Sequence, residues 1–149
     1  MIVVDTNVLS EPFRRRPEPR VVAWLDAAGS EVAITTVTVG ELLFGALRLP
    51  DGRRRSELLD SIEQLVAQAG DRVLPFDQSA ARSYGRLRAE RESAGRPAGS
   101  EDLLIGSVCL ARGLPLATRN VRHFEGFGID MVNPWDAEPA WPSRLSDSS

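Results

Sequence analysis

The chain has no lysine; all eighteen of its basic residues are arginine. Without lysine there is no P-loop lysine, no Schiff base, and no phosphoaspartate chemistry of the kind that relies on that side chain. Cysteine occurs once, at Cys109, which excludes an internal disulfide and a cysteine-rich zinc site. Set among Val108, Leu110 and Ala111, that thiol reads as core filler, not as a nucleophile. No apolar run approaches the roughly 20 residues that cross a bilayer, and no charged segment of a secretion signal precedes Ile2. A cytoplasmic protein with no membrane partner is therefore expected. The net charge of −3 supplies no global field for a polyanion, so any such binding must be local. Arg14, Arg15 and Arg16 with Arg20, and Arg53, Arg54 and Arg55, are local basic clusters. Such clusters are more often solvated turns than binding patches, yet arginine is the side chain best shaped for bidentate phosphate contact.

What the chain does have is an alternation of strand and helix signals. Its 149 residues, 42% of them hydrophobic, suit a single core. Ile2, Val3 and Val4 form a short apolar run that reads as a buried strand, with Asp5, Thr6 and Asn7 at its carboxyl end. Pro12, Pro17 and Pro19 mark a connection, and Val21, Val22, Leu25 and Ala28 recur at helical spacing. A second strand spans 32–35, after which Thr38 and Glu41 stand at capping-box spacing at the start of a helix that runs towards Pro50. Leu58, Leu59, Ile62, Leu65, Val66 and Ala69 make an amphipathic helix whose apolar face is core. A third strand at 73–76 carries Pro75, which confines it to an edge or a strand end. Asp77 is a natural N-cap for the next helix, with Ala80, Tyr84 and Leu87 on its buried side. Ser100, Glu101 and Asp102 open a helix that is apolar nearly all round, and strands at 115–118 and 130–133 complete the pattern. This order implies one α/β domain over 1–136, a parallel sheet of about five strands flanked by helices on both faces, with a loosely held tail at 137–149.

The polar residues fall into place on that frame. Asp5 ends the first strand, Glu41 lies in the early turns of the helix after the second, Asp102 opens the helix before the fourth, and Asn120 follows the fourth. All four face the carboxyl edge of a parallel sheet, where α/β proteins bind ligands. Each has a structural reading as well: Asp5 as a cap, Glu101 and Asp102 as charges suited to a helix N-terminus. Three carboxylates converging with no arginine between them repel, so the cluster is stable only with a cation bound or with raised pKa values. Oxygen-only ligands suit Mg²⁺ or Mn²⁺, not zinc.

Four stretches carry a specific likeness: Val3-Val4-Asp5-Thr6-Asn7-Val8-Leu9-Ser10, Thr36-Val37-Thr38-Val39-Gly40-Glu41-Leu42, Asp102-Leu103-Leu104-Ile105-Gly106, and Leu116-Ala117-Thr118-Arg119-Asn120-Val121-Arg122-His123-Phe124, which runs on to Asn133-Pro134-Trp135. In this order they resemble the PIN-domain ribonucleases, especially the VapC-type toxins of bacterial toxin–antitoxin pairs. The resemblance implies a metal-dependent endoribonuclease that cuts RNA by water attack on a phosphodiester, with Mg²⁺ as cofactor and Mn²⁺ able to substitute. It implies Asp5, Glu41 and Asp102 as acidic metal ligands, and Asn120 as a catalytic residue where many members carry a fourth Asp. Thr6 matches a residue beside the metal water and ranks second to these. Asp102, not Glu101, is in register with the family's Asp-x-x-Ile pattern. The implied partners are RNA, a small cognate antitoxin and a second copy of the chain in a homodimer.

Other classes fit less well. A phosphatase of the haloacid-dehalogenase type expects a second Asp where this chain has Asn7, and a lysine it lacks; a response-regulator receiver fails on the same lysine. A non-catalytic interaction domain with a vestigial acidic cluster remains the other alternative. Cleavage through a ribose 2′-hydroxyl usually needs two groups that titrate near neutrality, and this chain offers one histidine. His123, in a loop just before Phe124, reads as a half-exposed polar residue. The arginines expected at the rim of the acidic site are Arg14, Arg15 and Arg16, or Arg119.

Overall fold

The computed structural model describes residues 1–136. The tail expected at 137–149 lies outside the described residues. Five strands, β1 (Ile2–Val4), β2 (Val32–Thr35), β3 (Val73–Leu74), β4 (Leu116–Ala117) and β5 (Met131–Val132), form one sheet in the order β3-β2-β1-β4-β5, every pair parallel. Among the described residues the α-helices are α1 (Thr6–Ser10), α2 (Pro19–Ala28), α3 (Thr36–Leu47), α4 (Arg53–Ala69), α5 (Gln78–Ser93) and α6 (Ser100–Arg112).

Period-two alternation divides the core between the two faces of the sheet. Ile2, Val4, Ile34 and Ala117 join Val8, Val21, Trp24, Leu42 and Ile62 on the face covered by α1 to α4. Val3, Ala33 and Leu116 join Leu87, Ile105, Val108 and Phe124 on the face covered by α5 and α6. The residues of β1 are completely buried, as a central strand covered on both faces must be. On α6, Gly106 lets Phe127 approach: a Cβ there would lie 2.5 Å from the ring. No helix among the described residues is long and apolar enough to cross a membrane.

Several boundaries differ from the sequence reading. The connection expected after β1 is in fact α1 followed at once by a 3-10 turn, Glu11–Phe13, with Pro12 inside it. Proline suits the first turn of a helix as well as it suits a loop, so the prolines concealed these elements. Helix α3 begins before Thr38 because Thr35, extended at the end of β2, caps it: Thr38 N donates to Thr35 Oγ1 at 3.1 Å. The capping box expected from Thr38 and Glu41 is thereby replaced. Helix α4 starts at Arg53, so Arg53, Arg54 and Arg55 form its first turn, not a loop. Cations there oppose the helix dipole, and ion pairs from Arg53 to Glu57 (2.7 Å) and from Arg55 to Asp51 (2.6 Å) offset part of that cost. Strand β3 stops at Leu74, just before Pro75, and sits at the sheet edge where the proline confines it. Asp77 caps α5 as expected, accepting from Ala80 N at 3.0 Å.

Candidate functional site

The strand order reverses direction between β1 and β4, and in open α/β sheets the carboxyl ends beside such a switch point form the binding crevice. Both strands end there in a polar residue. Asp5 is only 6% exposed and Thr118 is completely buried. Thr118 Oγ1 donates to Asp5 Oδ2 at 2.7 Å, and Thr6 N donates to Asp5 Oδ1 at 2.8 Å. Asp5 therefore caps α1 and also stands as a carboxylate at the crevice; the two readings coexist. Burial pushes its pKa up, the hydrogen bonds from Thr118 and Thr6 oppose that rise, and repulsion from Asp102 and Glu101 adds to it.

Asp102 lies in the first turn of α6, half-buried, its Oδ2 3.2 Å from His123 Nδ1. Burial raises its pKa, the charge and hydrogen bond of His123 oppose the rise, and Glu101 adds repulsion. Glu101 is raised by loss of solvent and then by a hydrogen bond and repulsion from Glu41. Glu41 and Glu101 are thus neighbours across α3 and α6, and Glu101, set aside on register, belongs electrostatically to the same acidic group. Among the described residues no three His, Cys, Asp or Glu side chains close into a metal-binding group. The acids stand as linked pairs: Asp5 senses Asp102 and Glu101, and Glu101 senses Glu41.

Hydroxyls tie the supporting elements together. Thr6 Oγ1 and Thr35 Oγ1 each donate to Thr38 Oγ1 at 3.3 Å, linking the end of β1, the end of β2 and the first turn of α3 that leads to Glu41. Asn120 is exposed; its backbone N–H donates to Thr118 Oγ1 at 3.0 Å, so the hydroxyl that holds Asp5 also holds the turn carrying Asn120. Asn7 Oδ1, on α1 two residues past Asp5, is buried with no partner among the described residues.

Of the rim arginines expected from sequence, Arg14 bonds the buried Glu11 at 3.3 Å, and Arg119 lies over the Trp135 ring at 5.0 Å. Sequence reasoning overlooked Thr118, although a polar residue ends β4 as Asp5 ends β1. It also overlooked the pairing of His123 with Asp102; His123 is exposed, as expected, but lies in a 3-10 turn, Val121–Phe124. Cys109 is buried and its thiol is pushed up to about 12, first by burial and then by Asp5, in keeping with core filler.

The donor set suits a hard divalent cation. It is all oxygen, its members Asp5, Asp102 and Glu101 are costly to ionise together, and among the described residues no arginine pairs with Asp5, Glu41, Glu101 or Asp102.

Comparison with known proteins places the fold in a family. Residues 2–127 match the model of the PIN domain. The chain is 42% identical over 142 residues to the VapC ribonuclease Y4jK of Sinorhizobium fredii, spanning 94% of this chain and all of that protein. The crystal structure of FitAcB from Neisseria gonorrhoeae superposes with a TM-score of 0.86 at 36% identity, covering 91% of this chain and 99% of that one. A VapBC-5 structure from Mycobacterium tuberculosis, a member of the VapBC family of toxin–antitoxin systems, gives a TM-score of 0.63 at 29% identity over 87% and 94% of the two chains. With the matched domain, the relatives and the parallel sheet in agreement, this chain belongs to the PIN-domain family, among its VapC-type toxins.

Proposed function

We propose that the chain is a divalent-metal-dependent endoribonuclease, the toxin of a type II toxin–antitoxin pair, acting in the cytoplasm on RNA. The observation that carries this reading is the Asp5–Thr118 pair at the sheet's switch point, with Asp102, Glu101 and Glu41 grouped beside it. Membership among proteins named as ribonucleases and toxins supports the substrate class, and the VapBC neighbour supports a small antitoxin as partner. A homodimer completes the assembly.

Asp5, Glu41 and Asp102 are the residues that would hold Mg²⁺, with Mn²⁺ as a substitute. When bound, such an ion lowers the pKa of water and neutralises charge gathering on a phosphate. The chain's own residues fix the geometry. Thr118 and Thr6 orient both oxygens of Asp5, so that carboxylate cannot rotate freely. His123 holds one oxygen of Asp102 and leaves the other available. Asn120, positioned through Thr118, offers a neutral amide to the substrate phosphate, where a fourth carboxylate would repel it.

The test is incubation of the purified chain with single-stranded RNA in Mg²⁺ or Mn²⁺, with and without a chelator. Cleavage should require the metal and leave a 5′-phosphate and a 3′-hydroxyl, and Asp5→Asn should lose at least about 100-fold in rate. Undiminished cleavage in excess chelator, or a 2′,3′-cyclic phosphate at the cut end, would refute the metal-dependent mechanism.

A further inference from the structure

An acidic centre repels the polyanion it is meant to cut, and two of the rim arginines read from the sequence are engaged elsewhere: Arg14 with Glu11, Arg119 with Trp135. Two arginines, Arg91 and Arg122, instead line a cleft of about 400 Å³ beside Asp102, with His123 and the loop at 97–99 as its other walls. That volume lies within the ordinary range of ligand sites.

The basic side chains at this cleft differ in freedom. Arg91 is fixed: its Nη1 donates to Glu125 O at 2.8 Å, its guanidinium lies 5.5 Å from the Phe127 ring centroid, and its Nε is buried without a partner among the described residues. It supplies a stationary charge. His123 faces Asp102. Arg122, next to His123 in the same 3-10 turn, is exposed, and among the described residues its guanidinium makes no ion pair or hydrogen bond. Among the described residues the only carboxylate lining the cleft is Asp102, and it is already engaged by His123. Pro97, Ala98 and Gly99 form a wall with little side chain to obstruct a backbone. In a chain of net charge −3, this concentration of positive charge next to a candidate catalytic acid is the local field that phosphate recognition requires.

We propose that this cleft seats a phosphate of the RNA strand adjacent to the one being cut, with Arg122 as the contacting side chain and Arg91 as the fixed charge behind it. The inference rests on the nuclease reading above and adds the side on which the strand runs past the acidic centre. Arg122 is a specific choice because a planar guanidinium can grip two phosphate oxygens at once, whereas a lysine supplies charge alone.

The experiment uses the full chain and a fluorescently labelled single-stranded oligoribonucleotide. Binding is followed by anisotropy in chelator over a series of salt concentrations, and cleavage kinetics are measured in Mn²⁺. For Arg122→Gln, affinity should fall about tenfold and the salt dependence should flatten by about 0.7 in slope, the amount one lost phosphate contact removes on a single strand. KM should rise with kcat nearly unchanged, Arg122→Lys should recover part of the affinity, and Arg54→Gln, at an exposed position on α4, should behave as wild type. Wild-type affinity, slope and KM in Arg122→Gln, in a chain that does cut RNA, would overturn the cleft and leave the nuclease reading intact. Arg122-dependent binding in a chain that cuts nothing would keep the cleft and discard the catalytic reading. A chain that neither binds nor cuts RNA would remove both.

Discussion

Asp5 shows how one side chain is made both structural and chemical. Its burial raises the cost of ionisation, and two hydrogen bonds, from Thr118 and Thr6, oppose that cost. Thr118→Val preserves shape but removes the side-chain donor and leaves the backbone donor of Thr6. A hydrogen bond to a charged group contributes about 1.5 to 3 kcal/mol, so the variant should be destabilised by about that amount near neutral pH. It should lose less at low pH, where Asp5 is protonated and needs the donor less. Chemical denaturation of wild type and variant at pH 7 and pH 4 checks this, and an equal loss at both would argue that Thr118 acts through packing. The same hydroxyl accepts from Asn120 N, so activity should fall together with stability.

At the scale of elements, α6 packs tightly where it meets the turn that carries Phe127. Gly106 has no Cβ to offer the ring, which is itself wedged edge-on against Phe124 at 5.4 Å and beneath Arg91 at 5.5 Å. Gly106→Ala gains about 1 kcal/mol of helix propensity but must displace a buried ring, and overpacking costs about 1 to 3 kcal/mol. A net fall in melting temperature is expected, at about 2 to 4 °C per kcal/mol for a chain of this size, with partial recovery in the Gly106→Ala/Phe127→Leu pair. A thermal melt as stable as wild type would show that the ring yields without cost. Nothing in the sequence announces this contact: Gly106 sits in an apolar run, and its partner is 21 positions away. The strands, by contrast, were legible, because each is a short apolar run bounded by turn residues, and so was Asp77, because an Asp before a helical pattern has one dominant use. Thr35, Thr36 and Thr38 could each begin α3 by chemistry alone; only the register of β2 selects Thr35. Asp5, Glu41, Asp102 and Asn120 could be placed at one sheet edge because topology follows from element order, but side-chain pairing does not. That is why Thr118, the pair formed by Glu41 with Glu101, and the arginines of the cleft had to come from the structure.

On the scale of the whole molecule, the acidic group ties stability to pH. Asp5, Asp102 and Glu101 all have pKa values raised above their usual 3.8, 3.8 and 4.5. A carboxyl raised on folding binds its proton more tightly in the native state, so its contribution favours folding fully below the unfolded pKa and is lost as pH rises through the folded value. These three groups therefore oppose the general trend of acid denaturation: relative to Asp5→Asn, wild type should lose stability as pH climbs from about 4 towards 7 in chelator. A divalent cation held by Asp5, Glu41 and Asp102 would reverse the sign, since it binds only the native arrangement and requires the ionised acids. Adding Mn²⁺ at pH 7 should raise the melting temperature of wild type, and the rise should disappear at pH 4, where protons compete with the ion. Asp5→Asn combined with Asp102→Asn should start more stable in chelator and respond little to Mn²⁺. The two arms are separable, because a pH-dependent gap without a metal response would keep the electrostatic account and reject the ligand assignment. A metal response undiminished in the double variant would place the ion elsewhere on the chain.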